Sequence, residues 1–248
     1  YLMKTGLRGR TVIITGASRN IGARAAELFA EEGCNLAICT SSKMKELADV
    51  ASKCKEKGAE VLTMKVDVSR EDQCNNFISA VSEKFGRLDV LVNNAVFRSE
   101  GDLLTMDVEN WHRNIEVNIN GPFFMCRASV PHMVEKQWGR IINFSGHSPY
   151  IGHYPGKSMA KIAIVGFTRG CANELGRHNI TANCIAPGHI DVERDDFQVA
   201  GKKVLPSQPI QTAGGCDTIA NLMLLLASES SFYITGQCYH ANGGSYYQ

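Results

Sequence analysis

Apolar runs of strand length alternate with amphipathic stretches of helix length along most of this chain. The strand candidates are residues 11–15, 35–40, 60–66, 88–92, 140–144 and 180–186. The helix candidates, in which apolar residues recur at helical spacing, are residues 21–32, 43–57, 69–85, 107–136 and 155–175. This alternation predicts a parallel sheet with helices on both faces, which is a doubly wound α/β fold.

Length and charge limit the kinds of molecule that the protein is expected to bind. With 248 residues, of which 44% are hydrophobic and 21% are charged, the chain is expected to form one domain over residues 1–248. Its 26 basic and 25 acidic residues give a formal net charge of +1. This balance gives no electrostatic case for binding nucleic acid or a membrane surface, so the expected partner is a small-molecule substrate.

The cysteines and the apolar runs indicate the cellular compartment in which the protein is expected. Nine cysteines occur without a CxxC pair. Disulfides and zinc sites need closer spacing, so we expect reduced thiols, no metal and a cytoplasmic protein. Residues 1–10 are basic without the apolar core of a leader, and no run reaches the roughly 18 apolar residues of a membrane span.

A buried strand runs into a glycine-bearing turn and then a helix over residues 12–22. A dinucleotide diphosphate needs close backbone approach and free amides at a helix start, and Gly16 and Gly22 permit that approach. An acid at the end of the second strand would repel a 2′-phosphate. Here the strand ends in Thr40-Ser41-Ser42-Lys43 and Arg19 adds a cation from the turn. These residues favour NADP(H) over NAD(H).

The segment from Tyr154 to Lys161 groups one phenol and two amines. If the segment is helical, a rotation of about 100° per residue places Tyr154, Lys157 and Lys161 on one face. Two ammonium groups about one turn apart repel, and burial adds a desolvation cost. At least one lysine is therefore expected to lose its proton more easily than a free lysine, which would make a proton donor usable near neutral pH.

Further motifs follow in a characteristic order. They are Leu91-Val92-Asn93-Asn94-Ala95, Val117-Asn118-Ile119-Asn120-Gly121, Ala186-Pro187-Gly188, Ile234-Thr235-Gly236 and Asn242-Gly243-Gly244. With the glycine turn, they resemble the short-chain dehydrogenase/reductase family over residues 7–244, and its ketoacyl-carrier-protein reductases in particular. The resemblance implies a Rossmann-like sheet of about seven strands and commonly a homotetramer built partly from the long fourth and fifth helices, with a homodimer as the alternative.

The resemblance also implies roles for single residues. Lys161 matches the lysine that binds the nicotinamide ribose and lowers the pKa of the family's acid. Asn118 matches the asparagine that holds a water in the proton relay. The implied cofactor contacts are Gly16, Ser18, Arg19, Ile21 and Gly22 for the phosphates, Asp67 and Val68 for adenine, Asn94 and Ala95 for the ribose, and Pro187, Gly188 and Ile190 near the nicotinamide.

The chain departs from the family pattern at the reacting groups. Counting back from Gly166, the tyrosine of the family's YxxxK falls on Lys157, and the carbonyl-orienting serine falls near Gly146, between Ser145 and Ser148. Lys157 is then the candidate acid, tuned by its neighbour Lys161. Elsewhere, substitutions that could loosen or reposition the cofactor occur at two usual glycines and one usual threonine, which are replaced by Asn20, Val96 and Val192.

Several interpretations of the active site stay open. In the first, an NADP(H)-dependent oxidoreductase acts on a small carbonyl or hydroxyl compound, with Lys157 as acid and Ser145 or Ser148 holding the substrate oxygen. In the second, the Tyr154-x6-Lys161 spacing of enoyl-thioester reductases lets Tyr154 steady an enolate. In the third, Lys157 is a base or Schiff-base nucleophile in a non-redox lyase or decarboxylase. In the last, the protein is a cofactor-binding scaffold without turnover.

Two other features border the presumed pocket. His147, His153 and His189 cluster around it in the sequence, and we expect them to shape the substrate site or to contact an acidic group. The region around residues 187–215 lacks clear periodicity. A segment of that length inside a compact domain is typical of a substrate loop or lid.

Overall fold

The computed structural model describes residues 4–98, 101–193 and 208–247. Its strands form a seven-stranded parallel sheet in the order β3-β2-β1-β4-β5-β6-β7. The strand order reverses beside β1 and β4, and ligands of such sheets bind at the carboxyl ends of the strands there. The predicted doubly wound fold is confirmed. The strands are β1 (Thr11–Thr15), β2 (Asn35–Thr40), β3 (Val61–Lys65), β4 (Val90–Asn93), β5 (Gly139–Phe144), β6 (Ile180–Pro187) and β7 (Cys238–Ala241).

Helices cover both faces of the sheet. They are α1 (Asn20–Glu31), α2 (Met44–Glu56), α3 (Glu71–Phe85), α4 (Val108–Ile115), α5 (Gly121–Lys136), α6 (Ser148–Ile151), α7 (Pro155–Leu175) and α8 (Cys216–Ala227). Val12 and Ile14 of β1 join the core formed with α1, α2 and α8, whereas Ile13 joins the core formed with α3, α5 and α7. Alternate side chains of a strand point to opposite faces, so β1 is buried along its whole length. Among the described residues, no helix is long and apolar enough to cross a membrane.

The predicted helical stretch over residues 107–136 is confirmed as a continuous helical path from Val108 to Lys136, but it is not α-helical throughout. The structure divides it into α4, a π-helical segment Glu116–Asn120 and α5. At the junction, a Cβ on Gly121 would lie 2.9 Å from Cγ2 of Val68, so α5 begins where the helix passes close to the end of β3. A π turn inserts residues without breaking the helical path, and such turns occur often at functional sites.

The expectation that Tyr154 shares a helical face with Lys157 and Lys161 is wrong. Helix α7 begins at Pro155, and Tyr154 has φ 55° and ψ 109°, outside the helical region. A proline disfavours the helical conformation of the residue before it, which accounts for the boundary. Lys157 and Lys161 both lie in α7, one turn apart, and they keep the predicted shared face.

The structure describes only part of the predicted substrate loop, residues 187–215. Residues 194–207 lie outside the described residues. Before them, Ile190 forms an isolated parallel bridge with Gly214. After them, the amide of Ile210 donates to the carbonyl oxygen of Gly243 at 3.0 Å. The two described ends of the loop are thus bridged to each other, and the second end is also bonded to the residues after β7.

Candidate active site

The turn after β1 has a backbone suited to a bound diphosphate. Gly16 has φ +65°, and a Cβ there would lie 2.9 Å from Cα of Ala95. Asn94 holds the turn from the end of β4, because its Nδ2 donates to the carbonyl oxygens of Thr15 and Gly16 at 2.9 Å each. Helix α1 follows directly, and the side chain of its N-cap residue, Arg19, makes no capping hydrogen bond. These amides remain available to an anion at the helix start.

Asn20 occupies a position where the resemblance predicts glycine. Its φ is 54°, in the left-handed region that asparagine tolerates better than most residues. Its Nδ2 donates to the carbonyl oxygen of Glu193 at 2.9 Å, and its Oδ1 accepts from the Glu193 amide at 2.9 Å. The side chain therefore joins the glycine turn to the segment after β6. No motif in the sequence indicates this connection, because the two residues are 173 positions apart.

A cleft of about 530 Å³ opens at the carboxyl ends of the strands, beside the glycine turn. Lys43 and Arg19 both line it, close to the hydroxyl-bearing end of β2. A diphosphate-binding turn, a cleft of this size and cationic and hydroxyl donors fit a nicotinamide dinucleotide. The predicted cofactor residues that line the cleft are Gly16, Ser18, Arg19, Ile21, Gly22, Thr40, Ser41, Ser42, Asp67, Val68, Asn94 and Ala95.

Asp67, the predicted adenine contact, is paired with a residue that the sequence analysis missed. Arg113 of α4 donates from Nη2 to Asp67 Oδ2 at 2.8 Å and from Nη1 to Ser69 Oγ at 2.7 Å. Partial burial would raise the pKa of Asp67, but hydrogen bonds from Arg113 and Ser69 outweigh burial and hold that pKa below its usual range. Asp67 is therefore an ionised carboxylate fixed in orientation at the side of the cleft.

The segment after β6 is held against β7. The amide of Gly188 donates to the carbonyl oxygen of Ala241 at 3.0 Å, and a Cβ on Gly188 would lie 2.6 Å from Cα of Asn242. Only glycine permits that approach. Pro187, Gly188 and Ile190, the predicted nicotinamide neighbours, are thus placed at the end of β6, next to the Asn242-Gly243-Gly244 motif, outside the lining of the cleft.

The two lysines of α7 lie at the end of β5. Nζ of Lys161 donates to the carbonyl oxygen of Phe144 at 3.1 Å, and Oγ of Ser145 donates to the carbonyl oxygen of Lys161 at 2.7 Å. Burial lowers the pKa of Lys161 to about 8; Cys184 opposes this change, and the charges of Lys157 and Arg98 add to it. Lys161 therefore loses its proton more easily than a free lysine.

The hydroxyl groups near the lysines have different environments. The Tyr154 ring packs against the His153 ring with centroids 3.9 Å apart. Tyr150 Oη lies 3.6 Å from Cys238 Sγ, and burial together with this thiol raises the pKa of Tyr150. Tyr150 therefore keeps its proton at neutral pH. Ser148 and Ser145 are both buried, at 1% and 4% exposure.

Asn118 lies in the π-helical segment and is buried. Its Nδ2 donates to the carbonyl oxygen of Phe97 at 2.8 Å and to Asn114 Oδ1 at 2.7 Å, and its Oδ1 accepts from the Phe97 amide at 3.0 Å. This side chain fixes the loop after β4. The water contact implied by the family resemblance remains a prediction.

The three histidines do come together. The rings of His147 and His189 have centroids 5.2 Å apart. Burial lowers the pKa of His147, and the neighbouring His189, Lys157 and His153 lower it further. Within the described ranges, no group of three or more His, Cys, Asp or Glu side chains could hold a metal ion.

The doubly wound sheet, the glycine turn and the cleft are the features of a dinucleotide-binding protein. A family model described as Enoyl-(Acyl carrier protein) reductase matches residues 16–246. The chain belongs to the short-chain dehydrogenase/reductase family, whose members use nicotinamide cofactors.

Known proteins are similar to this chain over almost its whole length. The 3-oxoacyl-[acyl-carrier-protein] reductase FabG of Staphylococcus aureus (strain N315) is 34% identical over 245 residues, which cover 96% of this chain and 98% of that protein. The (2S)-[(R)-hydroxy(phenyl)methyl]succinyl-CoA dehydrogenase subunit BbsD of Thauera aromatica is 35% identical, with coverage of 96% and 97%. A mutant short-chain dehydrogenase/reductase of Serratia marcescens has a similar structure, with a TM-score of 0.89, 29% identity and coverage of 96% and 98%.

Proposed function

We propose that this protein is an NADP(H)-dependent oxidoreductase that acts on a small carbonyl or hydroxyl compound, with Lys157 as the proton donor. The arrangement of Lys157 and Lys161 carries the proposal. Both lysines lie on one face of α7, and Lys161 donates to the carbonyl oxygen of Phe144 at the end of β5. Lys157 is half-buried, and its charge acts on both Lys161 and His147. Its ammonium group therefore lies near the loop after β5, at the edge of the sheet where substrates of this fold bind.

The chemistry needs an acid at the developing oxyanion. When bound, NADPH supplies the hydride to the carbonyl carbon. Lys157 donates its ammonium proton to the carbonyl oxygen as negative charge builds there. The neutral amine of Lys157 regains a proton through Lys161, whose pKa of about 8 permits exchange near neutral pH. In the oxidation direction, neutral Lys157 accepts the proton of the hydroxyl group.

The preference for NADP(H) is supported by the groups at the end of β2. Thr40 Oγ1 lies 3.4 Å from Ser18 Oγ, so the end of β2 and the glycine turn present their hydroxyl groups together. Arg19 and Lys43 add positive charge to the same cleft. We expect NADPH to bind at least tenfold more tightly than NADH, as measured by quenching of protein fluorescence. The double variant Arg19→Gln and Lys43→Gln should lose that preference, and equal affinities in the wild type would contradict it.

The role of Lys157 is tested by separating turnover from cofactor binding. With a panel of small carbonyl compounds and NADPH, we expect Lys157→Met to lose turnover and keep its NADPH affinity. Lys161→Met should lose both, because Lys161 is the expected ribose contact. Tyr154→Phe is the matched control and should keep most of the turnover.

Other outcomes point to the other interpretations. Turnover that survives in Lys157→Met and fails in Tyr154→Phe would favour an enoyl-type reductase. Product formation without stoichiometric NADPH consumption, with covalent trapping of substrate by borohydride, would favour a lyase in which Lys157 forms a Schiff base. Tight NADPH binding without consumption by any carbonyl or enoyl compound would indicate a scaffold.

The assembly is part of the same proposal. Phe123 of α5 and Ile162 of α7 are 44% and 48% exposed, and large exposed apolar side chains on long helices are typical of subunit contacts. Helices α5 and α7 lie within the fourth and fifth predicted helices, residues 107–136 and 155–175. Their exposed apolar side chains support the homotetramer that the family resemblance implies. Light scattering coupled to size-exclusion chromatography should give four times the 27.1 kDa chain mass. A mass of twice the chain would favour the homodimer instead, and a monomer mass would contradict both assemblies.

A further inference from the structure

Two cysteines lie side by side on the last two strands of the sheet. Cys184 of β6 and Cys238 of β7 are direct partners in the parallel register. Neighbouring strands lie about 4.8 Å apart, and a disulfide needs two Cα atoms about 4.4–6.8 Å apart. Cys184 forms a small core with Ile164 and Val165 of α7, and Cys238 packs against that core, so both side chains lie on the same face of the sheet. The pair therefore has the spacing and the facing that a disulfide requires, although both cysteines are free thiols.

The two thiols differ in access and in reactivity. Cys184 is fully buried, whereas Cys238 is half-buried. Oη of Tyr150 lies 3.6 Å from Sγ of Cys238. Hydrogen bonds from Cys184 and Tyr150 outweigh burial and lower the pKa of Cys238, and the hydrogen bond to Cys238 and burial raise the pKa of Cys184. The thiolate is the nucleophilic form of cysteine, so Cys238 is the thiol that reacts first with an oxidant from solution.

Other cysteines of the chain lack this combination of features. Burial raises the pKa of four of them to about 12, which makes them inert: Cys34, Cys39, Cys54 and Cys74. Cys126 of α5 and Cys171 of α7 share a hydrogen bond. They lie on two different helices, however, and helices do not set a backbone spacing as paired strands do. The strand pair is therefore the better placed for a disulfide.

We propose that Cys184 and Cys238 form a redox-active dithiol that a hydroperoxide converts into a reversible disulfide. The Cys238 thiolate attacks the terminal oxygen of the hydroperoxide and the O–O bond breaks. Cys238 becomes a sulfenic acid, and the other oxygen leaves as an alcohol, or as water from hydrogen peroxide. Cys184 then attacks the sulfur of Cys238, the S–O bond breaks, and a molecule of water leaves with the proton of Cys184. The two thiols lose two electrons, which the peroxide gains.

The disulfide changes the surroundings of the candidate active site. Cys184 pairs with Asn143 of β5, the residue before Phe144, whose carbonyl oxygen accepts from Lys161. On oxidation, the sulfur of Cys238 turns to Cys184 and can no longer be a thiolate partner of Tyr150. This effect rests on the proposed function: we expect the oxidised protein to consume NADPH more slowly, and dithiothreitol to restore the rate.

Peptide mapping by mass spectrometry tests the dithiol directly. The protein is treated with one equivalent of hydrogen peroxide, its remaining thiols are alkylated, and it is digested. We expect one linked peptide pair, which joins Cys184 to Cys238 and is absent after dithiothreitol. Cys184→Ala should instead leave Cys238 as a sulfenic acid that dimedone captures. Cys216→Ala, which removes a half-buried cysteine at the start of α8, is the matched control and should form the link as the wild type does.

The mapping does not depend on turnover, so it separates this inference from the proposed function. Absence of the link in the wild type overturns the dithiol, and so does a main product that links another pair, such as Cys126 and Cys171. A link without NADPH consumption by the reduced protein supports the dithiol and overturns the oxidoreductase. A link with equal consumption before and after oxidation keeps the dithiol and overturns its effect on the active site.

Discussion

Replacing Lys161 with methionine should stabilise the folded protein at neutral pH while removing its function. Folding lowers the pKa of Lys161 from 10.5 to about 8. Such a fall corresponds to up to about 3 kcal/mol of unfavourable free energy in the charged form. Methionine also removes the hydrogen bond of 3.1 Å to the Phe144 carbonyl, at a cost of about 1 kcal/mol. The expected net gain for Lys161→Met is therefore about 2 kcal/mol.

The gain should depend on pH in a defined direction. Between about pH 8 and pH 10.5, the unfolded chain holds a proton at Lys161 that the folded protein has released. The stability contributed by this residue therefore rises with pH across that window. Below it, both states are charged and the full penalty applies. The advantage of Lys161→Met should thus be largest at neutral pH and should shrink above pH 8.

Urea unfolding followed by far-ultraviolet circular dichroism measures both effects, with the free energies compared at about pH 7 and about pH 9.5. Lys84→Met serves as the control, because Lys84 is exposed and its replacement should change stability little at either pH. If Lys161→Met is no more stable than the wild type at neutral pH, or if its advantage is the same at both pH values, the argument from burial of the ammonium group is refuted.

Three other substitutions probe the supports of the site. Gly188→Ala places a Cβ 2.6 Å from a backbone atom and should cost at least about 2 kcal/mol in urea unfolding, and an unchanged midpoint would contradict that contact. Asn20→Gly should speed hydrogen exchange at the Glu193 amide at least tenfold in mass spectrometry, and equal exchange would exclude the bond. Arg113→Met should destabilise the protein at neutral pH, and the loss should shrink as the pH falls from 3.8 through the lowered folded pKa of Asp67. Urea unfolding at neutral and at acidic pH should show the same loss at both if the pair is unimportant.

The parts of the fold that the sequence predicts best are those with a single strong signal. Strands buried on both faces appear as continuous apolar runs, and β1 and β2 have their predicted bounds. The bounds of α7 also agree, because Pro155 opens a periodic segment. Strand β7 was not identified, since its residues Cys238–Ala241 are few, half-buried and include His240. Helix α8 follows the aperiodic loop region and was also missed.

The candidate site likewise has parts that the sequence predicts and parts that it does not. The glycine turn and the end of β2 are local in the sequence, and the structure brings both into one cleft. The contacts that orient them are not local. Arg113 reaches Asp67 across 46 positions, and Asn20 reaches Glu193 across 173. Such pairs depend on how the helices and loops pack. A single sequence shows which residues can form them but not which partners they take.

The bond between Asn20 and Glu193 has a consequence for how ligands are bound. One amide side chain fastens the glycine turn after β1, the predicted phosphate site, to Glu193 in the predicted substrate loop. If either piece shifts, the other must follow or both bonds must break, so the arrival of the coenzyme and the placement of the substrate segment are mechanically linked. A glycine at position 20 would let the two respond independently.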